Sequence, residues 1–323
     1  MSATALNTIV LPQYAFERNM PTLLRRLGEC NKAPQIVFDF KNVRYFIPGA
    51  IVTIMATIKG WQAAGKQLFF LNHQTNPAFR YLQRINFFKT AGLDLPEDFI
   101  RAPGSPDFIP LRELSPQVQD IGPIATKMAS CIAPEHEGGE VFRLLEYASG
   151  EAMLNCKQHS KGRGFVAAQY AQKRDLARIA VADCGRGIVA SFRDNNSPHY
   201  HPGMTDLEGL ELALKPYVSS TSHVIRTPYS AGSPNFGVGL YMLRSLMTAS
   251  LGYMFLASGN SWFLQDGTKA AVLKTMPAEL AFQGTVCSVA FQRGQIDDFQ
   301  RMLAEARAGL GLRIDKRAAK FFQ

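Results

Sequence analysis

Ala180-Val-Ala-Asp183-Cys-Gly185-Arg-Gly187-Ile188 ends an apolar run on a carboxylate and follows it at once with two glycines. A hairpin is predicted to lead into it, from Gly164 to Ala171, a turn at Lys173-Arg174-Asp175, then Ala177 to Ala182. An Asp at the end of a buried strand can accept a hydrogen bond from an exocyclic amine. Glycines beside it let a flat base lie against the backbone.

Three further stretches surround this one. Upstream, Glu151-Ala-Met-Leu-Asn155 falls on a helix predicted from about Glu140 to His159, with Phe142, Leu145, Met153 and Cys156 as its core face. Glu151 and Asn155 stand at i and i+4 and project from one stripe. A carboxylate and an amide a turn apart can activate a water and hold a hydrated Mg²⁺. Downstream, Asn235-Phe-Gly237-Val-Gly239-Leu240 runs into a helix predicted over Tyr241 to Ala249. Glycines before a helix N-terminus expose backbone N–H groups to phosphate oxygens, and the helix dipole adds to the attraction. Last, Gly284-Thr285 opens the apolar strand that ends at Phe291, and the Thr285 hydroxyl is placed to assist Asp183 through a water.

In this order and spacing, the four pieces resemble the N box, the two glycine boxes and the terminal Gly-Thr strand of the Bergerat-fold (GHKL-type) ATPases. That superfamily includes gyrase, heat-shock chaperones, mismatch-repair ATPases, histidine kinases and anti-sigma-factor serine kinases. The resemblance covers about residues 117–292. It implies an α/β sandwich with ATP held between helices and sheet under a mobile lid. It assigns Asn155 to Mg²⁺, Asp183 to adenine, Gly185 and Gly187 to the first glycine box, and Gly237 and Gly239 to the second. Glu151 stands where the hydrolysing members and the anti-sigma kinases carry a general base. No helical hairpin with a phosphoacceptor His precedes it, which sets the histidine kinases aside.

The chain departs from the pattern at Cys184, where the superfamily commonly has Asn, and at Gln158, where kinases often place a basic residue. Lys157, Lys161 and Lys215 are the candidates for that charge. The stretch from about Ala190 to Phe236, rich in Gly, Pro, Ser and Asn, is placed to be the lid, with Ser219, Ser220 and Thr221 near the phosphates when it closes. His199 and His201 form an HxH without a third ligand.

Residues 1–100 read as a separate α/β unit. Gln35 to Phe40 and Gln67 to Leu71 are strands, Ala50 to Ala63 a buried helix, and a further helix opens at Asn76-Pro77 with Phe79, Leu82 and Phe87 on one face. Strand–helix–strand spacing implies a mainly parallel sheet. The unit resembles a STAS domain, the fold of anti-sigma-factor antagonists. Where antagonists carry a phosphorylatable Ser, this chain has Phe46-Ile47-Pro48-Gly49. The resemblance therefore implies a docking or regulatory module. Residues 101–137 are read as a Pro-rich connection with one helix at about Pro123 to Ala133, residues 138–295 as the ATP-binding domain, and residues 296–323 as a helix and basic tail.

Composition bounds the rest. The chain has 323 residues and a net charge of +9, which favours anionic ligands. Five scattered cysteines without a CxxC argue against a disulfide framework or a structural zinc site, and fit a reducing cytoplasm. The longest apolar run, Tyr45 to Ile58, contains Pro48 and Gly49 and is shorter than the ~20 residues of a membrane helix. No targeting segment is read at the start. The expectation is a cytoplasmic protein that binds Mg²⁺-ATP and hydrolyses it slowly, coupling lid closure to a protein partner. The alternatives are a serine kinase of a STAS-like partner, since the same Glu could deprotonate a serine, and a non-catalytic nucleotide sensor or scaffold. The superfamily also allows a homodimer. Nucleic acid is a weaker fit, because no Lys/Arg cluster is interleaved with aromatics.

Overall fold

The computed structural model describes residues 7–100, 108–114, 121–133, 137–220 and 238–309. It is a mixed α/β protein. The first strands are β1 (Asn7–Val10), the short β2 (Tyr14–Ala15), β3 (Gln35–Asp39), the short β4 (Tyr45–Phe46) and β5 (Gln67–Leu71). β1, β3 and β5 form a parallel sheet with β3 in the middle, and β2 pairs with β4. Helices α1 (Met20–Gly28) and α2 (Pro48–Ala63) belong to this unit.

The helix expected after Asn76-Pro77 is two: α3 (Phe79–Arg84) and α4 (Phe87–Ala91). Asn86 between them has φ +63°, a left-handed conformation that ends one helix and re-aims the chain into the next. Leu82 and Phe87 are both buried, so the break serves the core rather than interrupting it.

The larger sheet has seven antiparallel strands in the order β11-β10-β9-β12-β8-β7-β6. They are β6 (Phe108–Leu114), β7 (Gly164–Ala171), β8 (Leu176–Asp183), β9 (Tyr253–Gly259), β10 (Ser261–Asp266), β11 (Val272–Thr275) and β12 (Phe282–Gln292). Helices α5 (Gly122–Ile132), α6 (Glu140–His159), α9 (Gly239–Ala249) and α10 (Phe299–Ala308) share an apolar cluster with one face of this sheet. α7 (Gly187–Asp194) and α8 (Asp206–Ala213) lie between α6 and α9 in sequence.

The segment read as a connection supplies α5 and also the edge strand β6. The pairing of β6 with β7 shifts register between Ile109 and Arg112, on either side of Pro110. A proline cannot donate to a ladder, so an edge strand with a bulge is where it can be tolerated. Arg163 closes this edge with a two-pronged pair of 2.6 Å bonds to Glu113, which pulls that carboxyl below its ordinary range.

The apolar cluster of the N-terminal unit runs on into the back of the large sheet. Phe38, Ile51, Ile54 and Met55 share it with Phe165, Ala167, Ala180, Ala182 and Phe255. α2 is the shared element. It packs on β7, β8 and β12, and 14 of its 16 residues are buried, so an apolar run without a polar stripe is what its position requires. Small residues let it approach closely: a Cβ on Gly49 would stand 2.5 Å from Ser288 Oγ, and one on Gly60 3.3 Å from Cys184 Cβ. Among the described residues no helix is long and apolar enough to cross a membrane.

A buried ion pair crosses the same interface. Arg178 on β8 is 2% exposed and Glu17 6%, with Arg178 Nε donating to Glu17 Oε1 at 2.6 Å. The Tyr45 hydroxyl and Gln169 Oε1 are hydrogen-bonded beside it.

Candidate functional site

α6 carries the first part of the site. Its core stripe of Leu144, Leu145, Ala148, Ala152 and Met153 is buried against the sheet. Glu151, Asn155 and His159 follow one another at single turns on the neighbouring, half-buried stripe. Burial raises the Glu151 carboxyl above its ordinary range. Among the described residues, Asn155 Nδ2, a donor, is buried without a hydrogen-bond partner.

β8 delivers Asp183 at its last residue, where it is 3% exposed. The Gly185 N–H donates to Asp183 Oδ1 at 2.9 Å. Burial pushes this carboxyl up to about 7, while the backbone N–H groups of Gly185 and Thr285 pull it down. Thr285 thus meets Asp183 through its backbone N–H. Two glycines are required here by geometry. Gly187 has φ +77°, and a Cβ on it would stand 2.9 Å from Ser258 Oγ. Gly284 has φ +106°, and a Cβ on it would meet the Asp183 carbonyl at 1.9 Å.

Asn155, Asp183, Gly187, Gly239 and Thr285 line one cavity of about 770 Å³, its mouth included. Val181, Ile188, Leu256 and Cys287 give it an apolar wall beside Asp183. Gly239, the first residue of α9, closes the side next to α6. A Cβ there would stand 2.6 Å from Glu151 Oε2.

Other expected residues sit elsewhere. Glu151 lies behind Gly239 and is not in the cavity wall. Gly185 is beneath Asp183, where a Cβ would stand 2.1 Å from the Ser160 carbonyl oxygen. Gly237 and Thr221 fall outside the described residues. Lys157, Lys161 and Lys215 are exposed and do not line the cavity. The stretch expected to be a lid folds in its first part as α7 and α8. Ser219 and Ser220 are already buried, in the cavity wall.

Arg186, between the glycines of the first box, is the residue the sequence did not single out. Its Nε donates to the His159 carbonyl at 2.8 Å, and its other nitrogens reach Asp194 and the Ser191 hydroxyl. Its sequence signal was only its place between two glycines. Among the described residues, no group of three or more His, Cys, Asp or Glu could hold a metal ion by itself. His199 packs edge-on against Phe192. A metal at Asn155 would need most of its oxygens from elsewhere, as Mg²⁺ bound through phosphates does.

No protein-family model matches the chain. Comparison with curated proteins and with solved structures finds no match either.

Proposed function

We propose that this chain binds Mg²⁺-ATP in the cavity between α6, β8 and α9, hydrolyses it slowly, and couples that cycle to a protein partner. The observation that carries the reading is that Asp183 and Asn155, 28 positions apart in the sequence, line one cavity closed by Gly239.

The residues fit the nucleotide and its metal. Asp183 offers a buried carboxylate whose bonds to two backbone amides leave lone pairs for the exocyclic amine of adenine. Val181, Ile188 and Leu256 supply the apolar surface a base needs. Asn155 presents its Nδ2 donor to a phosphate oxygen and its Oδ1 to a hydrated metal, and Gly239 opens the 11-residue helix α9, whose N-terminal N–H groups and dipole favour anions. Bound Mg²⁺ would supply charge compensation at the phosphate oxygens.

Glu151 is the base in this reading. Its raised carboxyl is a stronger proton acceptor than an exposed one. Asn155 orients, and the apolar wall excludes water from the base pocket. The N-terminal unit, joined to β8 through α2 and the Glu17–Arg178 pair, supports a route by which a partner docked there feels the state of the site.

Phosphate release from ATP in the presence of Mg²⁺ tests the reading. Wild type should turn over slowly, and Glu151→Gln should bind ATP while releasing at least about tenfold less phosphate. Equal release by both proteins would remove Glu151 as the base, and no binding by wild type would remove the function.

A further inference from the structure

Tyr14, Phe16, Tyr45 and Tyr81 form a ladder of aromatic rings that runs from the surface into the joint between the N-terminal unit and the large sheet. Ring centroids are 5.9 Å apart for Tyr14 and Phe16, with planes 8° from parallel, 5.6 Å for Phe16 and Tyr45, and 6.2 Å for Tyr45 and Tyr81. The inner end is fixed, because the Tyr45 hydroxyl is hydrogen-bonded to Gln169 on β7. The pairing of β2 with β4 sets Tyr14 beside Tyr45. The outer end is open: Tyr14 is 43% exposed.

Cations stand around the open end. Arg174, in the turn between β7 and β8, has its guanidinium carbon 5.1 Å from the centroid of the Phe16 ring, a cation–π contact. Lys173 precedes it in the same turn. Arg44 precedes Tyr45, and the N–H groups of both donate to the Gln13 carbonyl, at 2.8 and 3.2 Å. Arg44, Lys173 and Arg174 are exposed, and among the described residues none of the three enters an ion pair. The nearby acids are engaged elsewhere. Glu17 is 6% exposed and paired with Arg178, and Asp175 accepts from the Tyr170 hydroxyl and the Gly294 N–H. The cluster draws on residues 13–16, 44–45 and 173–174, so folding assembles what no single stretch of sequence contains.

We propose that this face binds single-stranded nucleic acid, with a base stacked on Tyr14 and backbone phosphates beside Arg44, Lys173 and Arg174. An open aromatic face takes a flat ring, and cations beside it take phosphates; a strand with unpaired bases offers both in every nucleotide. A duplex keeps its base faces stacked inside and offers only the phosphates. Recognition is tolerant of sequence, since every base has a π-face. The site is distinct from the nucleotide cavity. None of these residues lines that cavity, and the turn holding Arg174 lies at the opposite end of the eight-residue β8 from Asp183, about 25 Å along the strand.

Fluorescence anisotropy of a labelled oligothymidylate of about 12 nucleotides, titrated with the full chain, tests the proposal. Wild type should bind it more tightly than a duplex of the same length. The logarithm of its affinity should fall with the logarithm of salt concentration at a slope of about −2, as three phosphate contacts on a single strand require. Tyr14→Ala, checked by thermal unfolding, should bind about tenfold more weakly at an unchanged slope. Tyr14→Leu, which keeps the bulk without the ring, gives the same readout if Tyr14→Ala fails to fold. Arg174→Gln should flatten the slope by about 0.7. No binding by wild type, equal binding of the duplex, or full affinity in a folded Tyr14 variant would each overturn the proposal. Displacement of the oligothymidylate by Mg²⁺-ATP would place it in the nucleotide cavity and overturn the proposal as well. Binding to phosphatidylserine vesicles without binding to the oligothymidylate would overturn it in favour of a membrane surface.

Discussion

Gly239 is seated against Glu151, so closely that a Cβ on the glycine would stand 2.6 Å from Glu151 Oε2 and 3.2 Å from Asn155 Nδ2. The first turn of α9 and the polar stripe of α6 are thereby one unit, although 88 positions separate Glu151 from Gly239 and 84 separate Asn155 from it.

Gly239→Ala should therefore disturb the site more than the fold. Both neighbours are side-chain ends that can swing aside. The expected result is ATP affinity about tenfold weaker with a small change in unfolding midpoint, measured by calorimetry and thermal melts. Gly150→Ala is the control. It lies on α6, next to Glu151, with nothing within 4 Å of the new Cβ, and should stabilise the chain by about 1 kcal/mol.

Stability should depend on pH through Asp183. Its carboxyl is raised from an ordinary 3.8 to about 7 by burial. The native chain then binds the proton more strongly than the unfolded one, so this group's contribution is largest below about pH 4 and is lost as pH rises towards 7. Glu151 acts in the same direction. Denaturant midpoints should fall between pH 5 and pH 8 in wild type, and fall less in Asp183→Asn, with a difference on the order of a few kcal/mol. An Asp183→Asn slope as steep as wild type would place the proton elsewhere. ATP affinity should move the opposite way and rise with pH, because the ionised carboxylate is the better acceptor for an amine.

Removing Glu17 should destabilise the joint between the N-terminal unit and β8. Arg178 is 2% exposed and would keep its charge without a counter-ion. Glu17→Ala should cost about 3–5 kcal/mol, whereas Glu17→Leu with Arg178→Met should cost much less. Equal losses in urea denaturation would mean that packing, rather than the charge, matters there.

Much of the fold was legible in local pattern. The range of α6, the β7–β8 hairpin and β12 could be read because each has a long apolar periodicity bounded by glycine or a turn. The parallel pairing of β3 and β5 follows from the helix between them, whereas β1 and α1 were not read. What could not be read is what depends on distant partners. β6 hides behind Pro110, since a bulged edge strand has no strong pattern. The break at Asn86 needs a left-handed residue that the sequence merely permits. The apolar run of α2 shows that it is buried, but not that a second sheet covers it. At the site, the sequence singled out Asp183, Asn155, Gly187, Gly239 and Thr285, which line the cavity. It missed Arg186, whose role comes from what it holds in α6 and α7. It also read Ser219 and Ser220 as part of an open loop because nothing local shows their burial.

The most direct test is the affinity of the full chain for Mg²⁺-ATP compared with that of Asp183→Ala, measured by calorimetry with the fold of both checked by circular dichroism. The account predicts that wild type binds and that the variant binds at least about a hundredfold more weakly, as loss of a buried acceptor for the base requires. Equal affinity in two folded proteins would contradict it.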